Sequence, residues 1–421
     1  MSDFLIDFGP DRTISLNIAR KALLFYEDMD VIHHSNSSFS LVVTRADDLD
    51  IWGSYESAID GILVALCGRI ALEKSDWELS KRVDGKGGLA CKHIYSKYLL
   101  NGVQGFEPLN GNYVVILHDP SISSTFIVTD RCGMVPAFYH DNFSNFPVIS
   151  SHPDLLGRIT NESENIDFIS VAEFISTGKV SPPFTYYQNI KSLDYATITQ
   201  IKIDDQTPSI ASSTVYFSFD YKDKQINDEH IIAEKLAASF KSALSKRTLP
   251  LFGKSAIALS GGLDSRAYVA AINDKSQLNT FCFFDEENLE YKISQKLSRE
   301  FKVNLVPLKR PFDYYGENAS KGVRIYGGMG NIVNNHFIGF REFFKEYGFQ
   351  NIITGFYCDY FFKRLIETHI LFFNASFQHF EVRFYLIFSA FRFTVFHLFS
   401  PCKNTINCNS ECNNTTICQF F

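Results

Sequence analysis

One short stretch of this sequence combines hydroxyl, glycine and carboxylate residues at a spacing suited to phosphate chemistry. Its residues are, in order, Ser260, Gly261, Gly262, Leu263, Asp264 and Ser265. Two adjacent glycines let backbone N–H groups approach an anion closely, because no Cβ stands in the way. The serine hydroxyls flank this turn, and the Asp264 carboxylate can hold a cation that offsets phosphate charge. The stretch, called here the 260–265 loop, predicts a phosphate-binding site.

The segments on either side of the 260–265 loop decide how it is presented. The apolar run at 255–259 predicts a buried strand, and residues 264–273 predict a helix. A helix that starts at the loop adds unpaired N–H donors and a partial positive charge. Strand 279–284, helix 289–301 and strand 303–307 follow, and this alternation is typical of a parallel sheet with helices on both faces. Ligands of such sheets bind at the carboxyl ends of the strands, where the loop lies.

The first half of the chain has a different pattern. Short strand-like runs broken by Gly, Asn, Asp and Pro recur up to about residue 210, for example at 39–44, 111–117 and 124–129. Many such runs with few helices indicate stacked antiparallel sheets. The polar segment 204–227 predicts a linker between these sheets and the parallel sheet.

The 260–265 loop resembles the pyrophosphate loop of ATP pyrophosphatases of the asparagine synthetase type. Residues 280–284 resemble the second strand of that family, and residues 352–362 resemble its second nucleotide loop. In the first half, residues 109–115 and 129–139 are similar to a strand and to an Asp/Arg-Gly-Pro segment of the same family. The chain is thus similar to the glutamine-hydrolysing asparagine synthetases over both halves.

The resemblance implies an α+β N-terminal glutaminase-like domain with α/β/β/α layers at residues 1–210. An α/β parallel-sheet ATP-pyrophosphatase domain would follow at 228–365, with ATP and Mg²⁺ as its cofactors. The nucleotide-binding residues that it implies are Leu259, Ser260, Gly261, Gly262, Asp264, Ser265, Phe283, Thr354 and Gly355. The metal ligands that it implies are Asp264 and Asp359, which supply the oxygen atoms that Mg²⁺ prefers.

The glutaminase chemistry of the family is expected to be missing. Its nucleophile is a cysteine exposed by removal of Met1, with its own α-amine as base, whereas this chain has Ser2. The family's Asn-Gly-Glu-Ile is replaced by a segment that begins with Cys67, and the glutamine-holding acid is absent near Cys91. Both cysteines are expected to be buried structural residues. We therefore expect an inactive glutaminase-like domain, with an amine or ammonia as the nitrogen donor.

The resemblance ends near residue 365. Within the second nucleotide loop, bulky Phe356 and Tyr357 replace the family's Asp-Gly, and Tyr360 replaces its Glu. Residues 366–421 contain 12 Phe in 56 residues and no Gly or Asp. Because loops inside a tight fold need glycine at special backbone angles, this tail is expected to lie outside the fold.

The composition limits the function classes further. The net charge of −7 offers no basic surface for nucleic acid, and the beginning of the chain lacks the features of a signal peptide. No stretch of the tail is long and uncharged enough to span a membrane. We expect a cytoplasmic protein, with a homodimer as one possible assembly and a small-molecule or peptide carboxylate as substrate.

Three functions remain open from the sequence. The first is an AMP-forming amide ligase, which adenylates a carboxylate, releases pyrophosphate and transfers an amine. The second is a peptide or β-lactam cyclase of the same fold, in which the amine belongs to the substrate itself. The third is a non-catalytic remnant that acts as a nucleotide-binding or interaction module.

Overall fold

The computed structural model describes residues 2–10, 12–46, 48, 50–141, 147–204, 207–219, 228–272, 274–275 and 278–355. The chain divides into two units, Met1–Phe372 and Phe373–Phe421, and every described residue belongs to the first. Asp359 and the predicted tail at 366–421 therefore lie outside the described residues. The predicted domain boundaries stay predictions.

The strands and helices of the described residues are as follows. The strands are β1 (Ser2–Asp7), β2 (Asp30–Ser35), β3 (Ser40–Arg45), β4 (Ser54–Glu56), β5 (Leu63–Ile70), β6 (Gly111–Asp119), β7 (Ser124–Thr129), β8 (Phe138–His140), β9 (Val148–Ser150), β10 (Ile190–Ser192), β11 (Thr197–Asp204), β12 (Thr207–Val215), β13 (Ser255–Ala258), β14 (Leu278–Phe284), β15 (Asn304–Lys309) and β16 (Asn351–Ile353). The helices are α1 (Arg12–Leu23), α2 (Lys74–Ser80), α3 (Leu89–Asn101), α4 (Pro153–Ile159), α5 (Phe168–Thr177), α6 (Glu229–Arg247), α7 (Leu263–Ala271), α8 (Leu289–Phe301), α9 (Tyr314–Ile325) and α10 (Arg341–Glu346).

The first twelve strands form two antiparallel sheets. The first sheet has the order β10-β8-β9-β1-β3-β2, and the second has the order β12-β11-β7-β6-β5-β4. Apolar residues on the facing sides of the sheets pack together, for example Phe4 and Ile6 of β1 with Ala65 of β5 and Ile116 of β6. Strands alternate their side chains between two faces, so a second set of apolar residues points outwards and needs its own cover.

Helices supply that cover on both outer faces. Ile94 of α3 packs with Val64 of β5 on the second sheet, and Leu155 of α4 packs with Leu5 of β1 on the first. The result is the four-layer helix–sheet–sheet–helix arrangement predicted for the first half. The predicted linker was wrong in its first part, because β12 (Thr207–Val215) pairs with β11 as an edge strand. Its polar, mostly exposed residues suit an edge that has one open side.

The predicted parallel sheet is present, with strand order β15-β14-β13-β16. Val269 of α7 and Leu244 of α6 pack on one face, while Phe344 of α10 and Phe349 pack on the other. Both faces are therefore covered, as parallel sheets require. The assignment of this sheet to the ATP pyrophosphatases stays a prediction.

Polar contacts join the parallel sheet to the antiparallel sheets. Arg69 of β5 donates from Nη1 to Asn351 Oδ1 at 3.1 Å, and Arg341 of α10 donates from Nη2 to Asp28 Oδ2 at 2.6 Å. The hydrogen bonds from Arg341 and Lys345 hold the pKa of the Asp28 carboxyl well below its usual range. These contacts tie the start of β16 and helix α10 to the first half of the chain.

Candidate functional site

The 260–265 loop lies at the position where an open parallel sheet offers a crevice. It follows β13, and β13 pairs with β14 on one side and with β16 on the other. The chain continues from β13 to β14 and reaches β16 only later, so the direction of strand addition reverses between β13 and β16. Such a topological switch point is the usual ligand site of open α/β sheets. The predicted phosphate loop thus has the expected setting.

Hydrogen bonds within the loop hold its shape. The backbone N–H of Ser260 donates to Ser265 Oγ at 3.0 Å, and the two serine hydroxyls are 3.1 Å apart. The N–H of Gly262 donates to Ser260 Oγ at 3.1 Å. Both hydroxyls therefore hold the shape of the loop backbone, and the predicted roles of Ser260 and Ser265 in nucleotide binding stay predictions. The hydroxyl of Ser265 lies at the centre of this network.

Arg266 was missed as a site residue in the sequence. Its Nη2 donates to the carbonyl oxygen of Gly261 at 2.7 Å, and its Nε donates to that of Gly262 at 3.3 Å. A cation in the first turn of a helix opposes the helix dipole, and these two hydrogen bonds offset that cost. The sequence signal was available, because a basic residue follows the loop directly. The guanidinium places positive charge beside the predicted phosphate site.

The second nucleotide loop begins beside the first. Thr354 and Gly355 follow β16, which pairs in parallel with β13. A Cβ built on Gly355 would lie 3.8 Å from Asp264 Cβ and 3.6 Å from Tyr268 Cε2. The structure therefore brings Gly355 beside Asp264, and the predicted roles of both residues in nucleotide binding stay predictions. Asp359, the second predicted metal ligand, lies outside the described residues.

Leu259 and Phe283 occupy the interior around the sheet. The Leu259 side chain packs in the core below β13, and its backbone N–H donates to the Phe281 carbonyl at 2.8 Å. Phe283 contacts the rings of Phe337 and Phe340, at centroid distances of 5.4 and 5.0 Å. The Leu259 side chain is thus buried, Phe283 belongs to an aromatic cluster, and their predicted roles in nucleotide binding stay predictions.

The second candidate group surrounds Ser2 at the start of β1. The backbone N–H of Gly68 donates to Ser2 Oγ at 2.7 Å, and Cys67 Sγ donates to the Ser2 carbonyl at 3.2 Å. Arg45, paired with Ser2 across the sheet, is buried and donates to the Leu66 carbonyl at 2.8 Å. Arg45 was also missed in the sequence, where it reads as an ordinary basic residue at a strand end.

The cysteines near this position are poor nucleophiles. Cys67 and Cys91 are fully buried, and burial raises the pKa of each thiol to about 12. The thiolate is the reactive form of cysteine, so neither side chain is reactive near neutral pH. The structure agrees with the prediction that both are structural residues.

We predict that this chain does not release glutamate from glutamine. The Ser2 hydroxyl has a far higher pKa than a thiol, and Arg69 is engaged with Asn351 instead of facing a substrate. Purified protein should therefore show the same rate as a Ser2→Ala variant when glutamate is measured enzymatically. A rate at least tenfold above that variant would show that Ser2 acts as the nucleophile.

His152 forms a buried pair with Asp3, the residue that follows Ser2. His152 Nε2 and Asp3 Oδ1 are 2.9 Å apart, and His152 Nδ1 lies 3.6 Å from Asp154 Oδ1, which is an ion-pair distance and too long for a hydrogen bond. Burial alone would lower the pKa of His152. The interactions with Asp154 and Asp3 outweigh burial and raise it to about 9. His152 is therefore protonated in the folded protein at neutral pH.

We predict a loss of stability above neutral pH that depends on His152. A folded-state pKa raised from 6.5 to about 9 contributes stability fully below pH 6.5, and this contribution disappears as the pH rises through 9. At 1.36 kcal/mol per pKa unit, a pKa raised from 6.5 to about 9 corresponds to a loss of about 3 kcal/mol. Urea unfolding at several pH values should show this slope in the wild type and a flatter one in His152→Gln. Equal slopes in both proteins would refute the assignment.

The described residues were also compared with the requirements of a metal site and of a membrane-spanning helix. No group of three or more His, Cys, Asp or Glu side chains in them is placed to hold a metal ion. The carboxylate of Asp264 still fits Mg²⁺, because this ion commonly takes one or two carboxylates and completes its shell with phosphate oxygens and water. None of the helices in the described part of the chain has the length and apolar character needed to cross a membrane.

The match to a known protein family lies in the first half of the chain. Residues 90–214 match the model of the glutamine amidotransferase domain family. Over 226 residues the chain is 25% identical to asparagine synthetase [glutamine-hydrolyzing] 2 of Bacillus subtilis (strain 168). That match covers 51% of this chain and only 30% of the relative.

Two solved structures are weakly similar. One is the glutamine phosphoribosylpyrophosphate amidotransferase from B. subtilis complexed with ADP and GMP, with a TM-score of 0.35, 8% identity and coverage of 73% of this chain and 91% of that chain. The other, described as the allosteric regulatory enzyme of purine biosynthesis, has a TM-score of 0.36, 9% identity and coverage of 73% and 80%. TM-scores this low do not establish a shared fold.

Proposed function

Because the chain is an asparagine synthetase-like protein with a glutamine amidotransferase domain, we propose that it is an ATP-dependent amide ligase. In this proposal it binds ATP and Mg²⁺ at the 260–265 loop and adenylates a carboxylate with release of pyrophosphate. An amine or ammonia then displaces AMP and forms the amide bond. The acceptor is a small-molecule or peptide carboxylate.

One observation carries the proposal: the 260–265 loop and Gly355 meet at the switch point of the parallel sheet. Gly355 approaches Asp264 closely, so two chain segments that are 90 residues apart line one crevice. Helix α7 begins at Leu263, which directs its first N–H groups and its positive dipole end towards this crevice. A polyphosphate chain is the ligand that suits these donors.

The residues of the site have distinct roles in the proposal. The loop backbone holds phosphate oxygens, and the Arg266 guanidinium adds positive charge where pyrophosphate leaves. The Asp264 carboxylate holds the Mg²⁺ ion, which neutralises phosphate charge when it is bound. The inward hydroxyls of Ser260 and Ser265 keep the loop in its open shape, so little reorganisation is needed on binding.

The environment of Ser2 favours an amine that does not come from glutamine. Ser2 has a hydroxyl where the glutaminases have a thiol, and Arg69 is hydrogen-bonded to Asn351. This feature gives support to the cyclase as a second candidate, because its amine is part of the substrate. Ammonia-dependent ligation and cyclisation share the same use of ATP, and the identity of the product separates them.

Product analysis tests the proposal. ATP labelled at the α-phosphate is incubated with Mg²⁺, a panel of carboxylates, and ammonia or amines. We expect labelled AMP together with pyrophosphate, and at least a hundredfold slower formation in Asp264→Asn. The surface variant Glu300→Gln, on α8, should behave as the wild type. Formation of ADP and phosphate would contradict the proposal, and nucleotide binding without any product would favour a non-catalytic module.

A further inference from the structure

Arg69 of β5 reaches from the first half of the chain to the parallel sheet. Its Nη1 donates to Asn351 Oδ1 at 3.1 Å, and its Nη2 donates to the Gln350 carbonyl at 3.4 Å. The guanidinium also lies over the Trp52 ring, 5.5 Å from its centroid. The family that the chain resembles has glutamate at this position, and a carboxylate cannot donate to an amide oxygen. The contact with the parallel sheet therefore depends on the arginine of this chain.

The aromatic ring beside Arg69 belongs to the contact between the two halves. Trp52 stacks on Phe252, with ring centroids 5.4 Å apart and an interplanar angle of 16°. Phe252 lies in the segment between α6 and β13. The Arg69 side chain is thus held by an aromatic ring on one side and by the residues at the start of β16 on the other.

The Asn351 amide links three elements of the second half. Asn351 is buried, and its Nδ2 donates to the Arg247 carbonyl at 2.7 Å and to Ser255 Oγ at 2.9 Å. Arginine can only donate and a carbonyl oxygen can only accept, so one orientation of the amide satisfies all its neighbours. Arg69 therefore selects the orientation in which Asn351 is bonded to the end of α6 and to Ser255 at the start of β13.

Apolar residues specify the register of β16 only weakly. The strand pairs with β13 over three residues, from Ser255 with Asn351 to Ile257 with Ile353. Ile353 packs on one face of the sheet and Ile352 on the other. A hydrophobic pattern fixes the register of a strand when one face is apolar and the other polar. Because isoleucine lies on both faces here, the polar contacts of Asn351 have to distinguish between neighbouring registers.

The register of β16 decides where the second nucleotide loop lies. Gly355 is two residues beyond the end of β16, and a Cβ built on it would lie 3.8 Å from Asp264 Cβ. A slip of one residue would move the strand by about 3.3 Å and would turn its side chains to the opposite faces. The arrangement of Gly355 beside Asp264 would then be lost.

We propose that Arg69 is a positioning residue for the nucleotide crevice. Through the Asn351 amide it sets the register of β16, and with it the place of Gly355 beside Asp264. The nucleotide part of this role rests on the proposed function, which places ATP in the crevice. The first half of the chain, from which we expect no glutamine hydrolysis, then supports the site in the second half.

Hydrogen exchange measured by mass spectrometry tests the effect on β16 without ATP. In Arg69→Met the backbone amides between Asn351 and Gly355 should exchange about tenfold faster than in the wild type, because a hydrogen bond from a charged donor is lost. Arg69→Lys keeps a cationic donor and should restore the rate to within about threefold of the wild type. Circular dichroism should show that both variants are folded.

The matched control is Arg131→Met. Arg131 also lies over an aromatic ring, that of Phe217 at 4.5 Å, and donates to a carbonyl, that of Glu107 at 2.9 Å. Neither partner belongs to the parallel sheet, so exchange at β16 should be that of the wild type. Exchange at β16 that is unchanged in Arg69→Met, or equally fast in the control, would overturn the proposal.

Calorimetry of ATP binding in the presence of Mg²⁺ separates this role from the proposed function. Arg69→Met should weaken ATP binding about tenfold, whereas adding it to Asn351→Ala should have little further effect, because both residues act through one amide. Unchanged affinity in Arg69→Met, or additive losses in the double variant, would overturn the positioning role. Faster exchange in Arg69→Met without any ATP binding by the wild type would contradict the proposed function and uphold the role of Arg69 in setting β16.

Discussion

Gly68→Ala is expected to unfold the antiparallel sheets, with a loss of more than about 4 kcal/mol. Gly68 has a φ of +99°, a conformation that residues with a side chain rarely adopt, and it pairs with Tyr113 across β5 and β6. A Cβ on Gly68 would lie 2.1 Å from the carbonyl oxygen of Asn112 and 2.8 Å from Tyr113 Cα. Both obstacles are backbone atoms, so the strands themselves would have to separate.

The measurement is urea unfolding followed by circular dichroism, with Gly85→Ala as the matched control. Gly85 has a similar φ of +89°, but a Cβ there would meet only the Tyr55 ring edge, at 3.4 Å. The control should lose about 1 to 2 kcal/mol from backbone strain alone. If the two variants lose the same stability, steric overlap between β5 and β6 is not what requires a glycine at Gly68.

Ser265→Ala is expected to weaken ATP binding at least tenfold while the protein stays folded. The Ser265 hydroxyl accepts the Ser260 N–H at 3.0 Å and lies 3.1 Å from the Ser260 carbonyl oxygen and hydroxyl. Alanine would leave this N–H without its partner, and the loop would lose the shape that presents its backbone to phosphate. One lost hydrogen bond and one unsatisfied group correspond to about 1 to 3 kcal/mol.

The matched control is Ser298→Ala. Ser298 has nearly the same exposure as Ser265, 7% against 9%, but its hydroxyl donates to the Gln295 carbonyl within α8. Fluorescence titration with an ATP analogue should give a wild-type affinity for this control. Equal affinities in Ser265→Ala and Ser298→Ala would mean that the hydroxyl network does not shape the phosphate site.

The parallel sheet and its loop were predictable because their signals are local. A short apolar run, two glycines and a helix that begins at Leu263 lie within 20 residues, and each has a direct conformational consequence. The approach of Gly355 to Asp264 was also predictable, since parallel strands end on the same edge of a sheet. The linker was misjudged because β12 is polar, and an exposed edge strand carries little hydrophobic alternation.

The contacts that could not be predicted are those between distant segments. Arg69 reads as a disrupted family motif in the sequence, and only the packing of β5 beside β16 shows that it bonds to Asn351. The pairing of His152 with Asp3 spans 149 residues, and only the second carboxylate beside His152, that of Asp154, is close to it in the sequence. Likewise, the hydrogen bonds of the Ser260 and Ser265 hydroxyls depend on the backbone conformation of the loop, which the residue types alone do not specify.

The most direct test of the ATP site is calorimetry of ATP binding with and without Mg²⁺, in the wild type and in Asp264→Asn. The proposed site predicts that Mg²⁺ strengthens ATP binding to the wild type by at least tenfold. The same addition should have no effect on Asp264→Asn, whose circular dichroism spectrum should match that of the wild type. ATP binding that is unchanged in Asp264→Asn, with the same dependence on Mg²⁺, would contradict the assignment of the 260–265 loop as the nucleotide site.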